Sequence, residues 1–279
     1  MRRYIMKVGL CQMKVQEEKK KNLLKAKQLI NEASELGADI IILPEMFNCP
    51  YDNTFFEEYS ENEKNSKTLK FISNIAQEIS KYIIAGSIPE NEDGKVYNTS
   101  YAFDREGNII AKHRKVHLFD IDVKGGVTFK ESDVLSRGNE YTVFETEYCK
   151  IGLQICYDIR FPELSRLMVE EGAKLIITPA SFNMTTGPAH WKDLFKVRAL
   201  DNQVYTLGCS GALNKEASYN SYGHSIIVSP WGDIINNLEF EEGIIIEEID
   251  LDKINEIREQ LPLLKHRRLD LYGVVDKRD

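Results

Sequence analysis

Gly37-Ala38-Asp39-Ile40-Ile41-Ile42-Leu43-Pro44-Glu45-Met46-Phe47-Asn48 recurs later in the chain as Gly172-Ala173-Lys174-Leu175-Ile176-Ile177-Thr178-Pro179-Ala180-Ser181-Phe182-Asn183, with seven of twelve positions identical. Such a match marks a repeated structural unit. Each copy reads as a glycine that stops a helix, a buried apolar strand and a proline that ends the strand. A similar strand stands upstream of each copy, Lys7-Val8-Gly9-Leu10 and Lys150-Ile151-Gly152-Leu153, followed by a helical pattern. Each half therefore holds a βαβ unit.

A matched hairpin follows each unit. Tyr97-Asn98-Thr99-Ser100-Tyr101 through Gly107-Asn108-Ile109-Ile110 aligns without gaps to Tyr222-Gly223-His224-Ser225-Ile226 through Gly232-Asp233-Ile234-Ile235. Both centre on a glycine-bearing turn between alternating apolar runs. Long helices are expected over Asn22 to Leu36, Lys67 to Lys81, Glu163 to Glu171 and Trp191 to Asp201, each with an apolar stripe and a polar face. The expected fold is α/β: two duplicated α/β units whose sheets pack face to face, with helices on the outer faces. No low-complexity linker interrupts the 279 residues, so a single domain over 1–279 is expected.

The formal net charge of −8 opposes a nucleic-acid or membrane-surface role, because phosphate binding needs a basic footprint. The longest basic run, Lys19 to Lys21, follows Glu17 and Glu18 and reads as a solvated loop or a helix start. Arg2 and Arg3 precede no apolar stretch of signal-peptide length, and no later segment reaches membrane-spanning length. A soluble, cytoplasmic protein is the expectation. The five cysteines, at 11, 49, 149, 156 and 209, contain no Cys-x-x-Cys pair, which argues against a disulfide framework and a structural zinc site. No metal is expected, since the five histidines lack ligand spacing such as His-Glu-x-x-His.

Three segments place a reactive side chain beside strand-like sequence: Glu45 in Leu43-Pro44-Glu45-Met46-Phe47, Lys115 in His113-Arg114-Lys115-Val116-His117, and Cys156 in Gln154-Ile155-Cys156-Tyr157-Asp158-Ile159-Arg160. Carboxylate, ammonium and thiol are the base, oxyanion partner and nucleophile that amide cleavage through a thioester needs. Glu45 and Cys156 both fall at strand ends, where α/β proteins place their sites. Taken alone, Glu45 could equally cap a helix or pair with an arginine, and Lys115 could sit on a basic surface strand. Cys156 precedes a sharp strand-to-helix transition with Pro162 near the helix start, an elbow that exposes the sulfur and leaves backbone N–H groups unpaired.

In this order and with these neighbours, the segments resemble the nitrilase superfamily of carbon–nitrogen hydrolases, from about Met6 to about Tyr272. The resemblance implies a four-layer α-β-β-α sandwich, Glu45 as general base, Lys115 and the Tyr157 backbone N–H as oxyanion partners, Cys156 as nucleophile and Glu131 as a second carboxylate that orients Lys115. It also implies that no cofactor is required. Read on its own, Glu131 is an exposed loop glutamate. Phe119-Asp120-Ile121-Asp122, Thr128 to Ser132, Ser181 to Trp191 and Asp201 to Tyr205 resemble the omega-amidases most closely, which implies a small 2-oxo-acid amide as substrate. Gly187-Pro188-Ala189-His190-Trp191 is shared with the deaminated-glutathione amidases, so another carbon–nitrogen hydrolase or a non-catalytic binding protein stays open.

A short oxo-acid carries a carboxylate that needs a fixed cation. Arg160 can supply two parallel hydrogen bonds, or can serve as a structural partner of Asp158 or Glu163. By resemblance, Phe182 lines the pocket and Thr186 hydrogen-bonds the oxo-acid. A homo-oligomer is expected, because family members associate near the elbow and the segment 257–279 carries Leu261, Pro262, Leu263, Leu264 and Leu269, more apolar residues than a free tail. Burial against its own domain is the alternative.

Overall fold

The computed structural model describes residues 5–277. Arg2, Arg3 and the last two positions of the 257–279 segment lie outside the described residues. In the first half the chain runs β1 (Ile5–Gln12), α1 (Lys19–Glu35), β2 (Ile40–Ile42), α2 (Asn53–Tyr59), α3 (Lys67–Ile79), β3 (Tyr82–Ile84), β4 (Ile88–Glu92), β5 (Lys95–Phe103) and β6 (Ile109–Arg114). Short strands β7 (Asp120–Asp122), β8 (Thr128–Lys130) and β9 (Leu135–Ser136) lead to the second half. There follow β10 (Thr142–Glu145), β11 (Lys150–Leu153), α4 (Pro162–Glu170), β12 (Leu175–Ala180), α5 (Gly187–Asn202), β13 (Tyr205–Ser210), β14 (Ile226–Val228), β15 (Ile234–Asn237), β16 (Gly243–Asp250) and α6 (Asp252–Gln260).

The duplication is visible in the register. β1 pairs parallel to β2 with Val8 opposite Ile40 and Leu10 opposite Ile42; β11 pairs parallel to β12 with Ile151 opposite Leu175 and Leu153 opposite Ile177. These are the partners that the repeat alignment places in equivalent positions. Gly37 and Gly172 each stand one residue past a helix C-cap with positive φ, 91° and 99°, a left-handed geometry that glycine adopts without steric cost. The hairpins β5–β6 and β14–β15 then join antiparallel to the third strand of their halves, β3 and β13.

Side chains alternate across both sheets and divide the interior into layers. Val8, Leu10, Ile40 and Ile42 meet Ile151, Leu153, Leu175 and Ile177 in one core between the sheets. Ile41, Leu43 and Ile83 point the other way, onto Leu29, Ile30, Ile72 and Ile75 of α1 and α3. On the far side, Ile176 packs with Leu164 and Met168 of α4, and Trp191 and Phe195 of α5 pack with Ile226 and Val228. The result is the α-β-β-α sandwich. β16 leaves the second half and pairs antiparallel with β1 over eight residues, which ties the end of the duplicated region to its start.

Several boundaries differ from expectation. The run Lys19 to Lys21 is the helix start, so the helix expected from Asn22 begins at Lys19, and the helix expected from Trp191 begins at Gly187. That earlier start follows from Pro188, which suits a first helical turn because the ring fixes φ and needs no N–H partner. The outer face of α5 is mixed rather than wholly polar: Val197 and Leu200 stand exposed there beside Lys192 and Asp193. Among the described residues no helix is long and apolar enough to cross a membrane.

Candidate active site

Each reactive side chain is delivered by a backbone feature that holds it at the ends of the strands. Beyond β2 the chain turns at Pro44-Glu45-Met46, with Met46 at φ 51° and its N–H on Ser87 Oγ at 3.0 Å. A Cβ on Gly86 would lie 1.9 Å from the Pro44 carbonyl oxygen, so only glycine lets this loop press the Glu45 turn into place. Lys115 follows β6, its N–H on the Asn98 carbonyl and its own carbonyl accepting from Gly138 N–H, both at 2.8 Å. Glu131 opens a single 3₁₀ turn after β8. Cys156 begins another, Cys156–Arg160, three residues past β11.

These elements bring four groups together out of solvent. Lys115 Nζ donates to Glu45 Oε1 and to Glu131 Oε1, each at 2.9 Å, and to Tyr51 OH at 3.2 Å. Tyr51 OH donates to Glu131 Oε1 at 2.6 Å, and Glu131 Oε2 accepts from Phe119 N–H at 2.6 Å. Asn98 Nδ2 holds Glu45 Oε1 at 2.8 Å. Glu45 Oε2 is buried without a hydrogen-bond partner, and the Glu45 carboxylate and the Cys156 thiol lie close enough to shift one another's titration. Lys115 is 1 % exposed and Glu131 0 %, so neither the surface strand nor the exposed loop describes them.

Burial sets the charges. It raises Glu45 above the ordinary carboxylate range against the pull of Lys115, which suits a group that must both take and return a proton. Burial and the Glu45 carboxylate push the Cys156 thiol well up, with Lys115 and the Ser181 N–H opposing. The resting sulfur is therefore a thiol beside a base. Burial lowers Lys115, but Glu131 and Glu45 outweigh it and hold the ammonium above its ordinary value. Cys156 itself sits at φ 44°, a left-handed conformation that costs a non-glycine residue about 1–3 kcal/mol and clusters at functional sites.

Arg160 stacks 4.9 Å from the Phe182 ring centroid and 5.5 Å from that of Tyr157. Its Nη1 meets His190 Nδ1 at 3.1 Å, and its Nε is buried without a partner. Among the described residues it forms no ion pair with Asp158 or Glu163. Phe182 is buried edge-on to Trp191. Thr186, at the N-terminus of α5, donates its hydroxyl to Asn183 Oδ1 at 3.2 Å and keeps only lone pairs for a ligand. A cavity of about 780 Å³ reaches Glu45 past Tyr51, Ser181 and Tyr219, with Glu17, Glu18, Asp52 and Glu216 on its walls against a single Lys21.

The carbon–nitrogen hydrolase family model matches residues 7–259. The chain belongs to this family. It is similar to the omega-amidase NIT2-A of Xenopus laevis, 50 % identical over 98 % of this chain and 99 % of that one. It is also similar to the omega-amidase NIT2 of Homo sapiens, 46 % identical over 98 % of each. Among solved structures it is similar to Saccharomyces cerevisiae Nit3, a member of branch 10 of the nitrilase superfamily, with a TM-score of 0.87 and 40 % identity over 95 % of this chain and 97 % of that one. The resemblance drawn from the three segments, and the sandwich it implied, are thereby met.

For a carbon–nitrogen hydrolase the sequence reading still passed over several site residues. Asn98 is polar in the middle of a buried strand, where its repeat counterpart is Gly223; that contrast was a usable signal. Tyr51 follows Cys49-Pro50 and carries no mark beyond its turn. Tyr219, 4.6 Å from the Tyr51 ring with its OH on the Ser181 carbonyl at 2.6 Å, had none. Asp158 is fully buried between His113 and His117.

Proposed function

We propose that this protein hydrolyses the terminal amide of a short 2-oxo-dicarboxylic acid, 2-oxoglutaramate or 2-oxosuccinamate, to the oxo-acid and ammonia through a thioester on Cys156. The observation that carries the reading is the Lys115 ammonium held between Glu45 and Glu131 beside the Cys156 thiol. It is joined by the similarity to omega-amidases over nearly the whole chain. Glu45 takes the thiol proton as Sγ attacks the amide carbon. The oxygen gains the electron pair and is stabilised by Lys115 Nζ and the Tyr157 N–H. Collapse breaks the C–N bond while Glu45 returns the proton to the departing ammonia. Water then enters, loses a proton to Glu45 and attacks the thioester; breaking the C–S bond releases the acid and restores the thiol. Glu131 takes no proton in this scheme and keeps the ammonium aimed. No step draws on a cofactor.

The acidic cavity walls do not favour an anion, so selection of a carboxylate falls to Arg160, with Phe182 beneath it and Thr186 nearby. Ammonia release measured across a panel of amides, carbamoyl compounds and nitriles, with and without a 2-oxo-carboxylate, tests the assignment. A preference for a substrate without the carboxylate would overturn it. Arg160→Lys is expected to lose the bidentate geometry and cut kcat/KM for 2-oxosuccinamate about ten- to a hundredfold, the scale of one charge-assisted contact. An amide without the carboxylate should be a poor substrate for parent and variant alike. Equal losses on both substrates would assign Arg160 to structure.

The same reading takes residues 1–279 as one domain and the protein as a cytoplasmic homo-oligomer. The five free thiols support a reducing compartment. Leu269, Leu271, Tyr272 and Val275 are more than half exposed, and Val197 and Leu200 of α5 are exposed as well. Burial of that tail against its own domain does not account for these side chains. Light scattering at micromolar concentration is expected to give at least a dimer, and a monomer would refute this part.

A further inference from the structure

Asp158 stands two residues past Cys156 in the first turn of its 3₁₀ helix and is wholly buried. Oδ2 accepts from the Ile155 N–H at 3.0 Å, and the Asp158 N–H donates to the Ile155 carbonyl at 2.9 Å. Those two bonds close the elbow around Cys156. The same carboxylate reaches across to the other half of the fold. Oδ2 meets His113 Nε2 at 3.1 Å; Oδ1 accepts from the His117 N–H at 2.9 Å and meets His117 Nδ1 at 2.8 Å. His113 and His117 flank Lys115, two residues to either side. Each is held in turn: His113 Nδ1 lies 3.0 Å from Thr142 Oγ1, which donates to the Lys112 carbonyl, and the His117 ring stacks on Phe161 at 3.6 Å.

Burial alone would raise this carboxyl, yet hydrogen bonds from His113 and His117 hold it well below the ordinary carboxylate range. A buried ionised group of this kind is weak evidence for stability, since well-packed apolar residues often serve as well or better. Aligning Lys7-Val8-Gly9-Leu10 with Lys150-Ile151-Gly152-Leu153 puts Val15 at the place of Asp158, in a half without an elbow. The carboxylate belongs to the half that carries the thiol. It grips that elbow and both flanks of the lysine with the same two oxygens.

We infer that Asp158 is a positioning residue that fixes the Cys156 thiol relative to the Lys115 ammonium by clasping the two segments that bear them. The inference rests on the proposed roles of Cys156 and Lys115. An ammonium displaced by about 1 Å from the developing oxyanion loses much of its effect, on the order of a hundredfold in rate.

The test uses the intact protein and two variants, Asp158→Asn and His117→Ala, with steady-state kinetics, thermal melting and the rate of iodoacetamide alkylation at Cys156 followed by peptide mapping. Asp158→Asn is expected to lower kcat about ten- to a hundredfold, leave KM within about twofold and slow Cys156 alkylation by a comparable factor. A merely structural Asp158 would lower the melting temperature and leave kcat per folded molecule and the alkylation rate at parent values. His117→Ala keeps the bonds that close the elbow and removes one partner from a half-exposed position, so it carries the test if Asp158→Asn does not fold. It is expected to lose about three- to tenfold in kcat and in alkylation rate, and parent values in both would overturn the inference. Alkylation of Cys156 in the parent must abolish turnover. If it does not, the nucleophile assignment falls and the inference with it, whereas normal labelling with unaffected variants removes Asp158 alone.

Discussion

Cys156→Ala is expected to lower ammonia release by at least about 10⁴-fold, the order of loss when an enzyme's covalent nucleophile is removed, while melting within a few degrees of the parent. No other thiol can substitute. Cys11 and Cys209 are buried elsewhere and burial drives both up. Cys49 borders the cavity that reaches Glu45, but its thiol donates to the Pro50 carbonyl at 3.3 Å and burial drives it up as well, while Cys149 lies just before β11 at the far end from the elbow. The stability half of the prediction follows from what the side chain contributes. The side chain is small, and alanine keeps the Cβ at φ 44° and its place in the apolar cluster around Ile155 and Ile159 without adding strain. Cys156→Gly relieves that left-handed conformation and should match or exceed the alanine variant in melting temperature. Ammonia assays and thermal scans on both variants decide the matter. Release within about a hundredfold of the parent would rule out the thioester route.

The order of the fold could be read because the chain states it twice. Strand identity, the helix stops at Gly37 and Gly172, and the shared register of the paired strands all follow from one repeated pattern, a glycine stop before a continuous apolar run buried on both faces. What was missed is either a local signal left unused or a contact between distant segments. Asp93-Gly94, both with positive φ between β4 and β5, is a strong two-residue hairpin signal, but it lies outside the duplication. β16 returning to β1 has no trace in either segment alone, because antiparallel pairing across the whole chain is fixed by the packed core. The same division holds for the site. Glu45, Lys115 and Cys156 stand out as chemistry beside strands, Glu131 comes from the family resemblance, and Arg160 from the cation that a substrate carboxylate needs. Tyr51, Asn98, Tyr219 and Asp158 act through partners distant in the chain, Asn98 on Glu45 and Tyr51 on Glu131 within the first half, Tyr219 on Tyr51 and Asp158 on His113 between the halves, and that proximity exists only in the folded chain.

Lys115→Met is expected to cost both activity and stability, and the pH dependence of the stability loss separates it from ordinary packing damage. Methionine nearly matches the volume and removes the ammonium, leaving Glu45 and Glu131 buried with their shared partner gone. Removing one member of a buried ion pair costs on the order of 3–5 kcal/mol, because the remaining charge is uncompensated. At about 2–4 °C per kcal/mol for a chain approaching this size, the variant should melt on the order of 6–20 °C lower near neutral pH. Turnover should fall about 10²–10³-fold or more through loss of oxyanion stabilisation. In the parent, the Lys115 value is raised on folding, so its contribution is complete below the unfolded lysine range and constant across pH 5–9. Any change in the gap over that window therefore comes from a carboxylate. Glu45, already raised by burial, goes further up once the cation is absent. The penalty of burying its charge is then full above the new value and fades as acid protonates it. Thermal scans at pH 8 and pH 5 are expected to show the gap between parent and variant narrowing toward pH 5. A gap of equal size at both would mean that the loss is one of packing, and a variant with parent melting and turnover would deny Lys115 any part in the site.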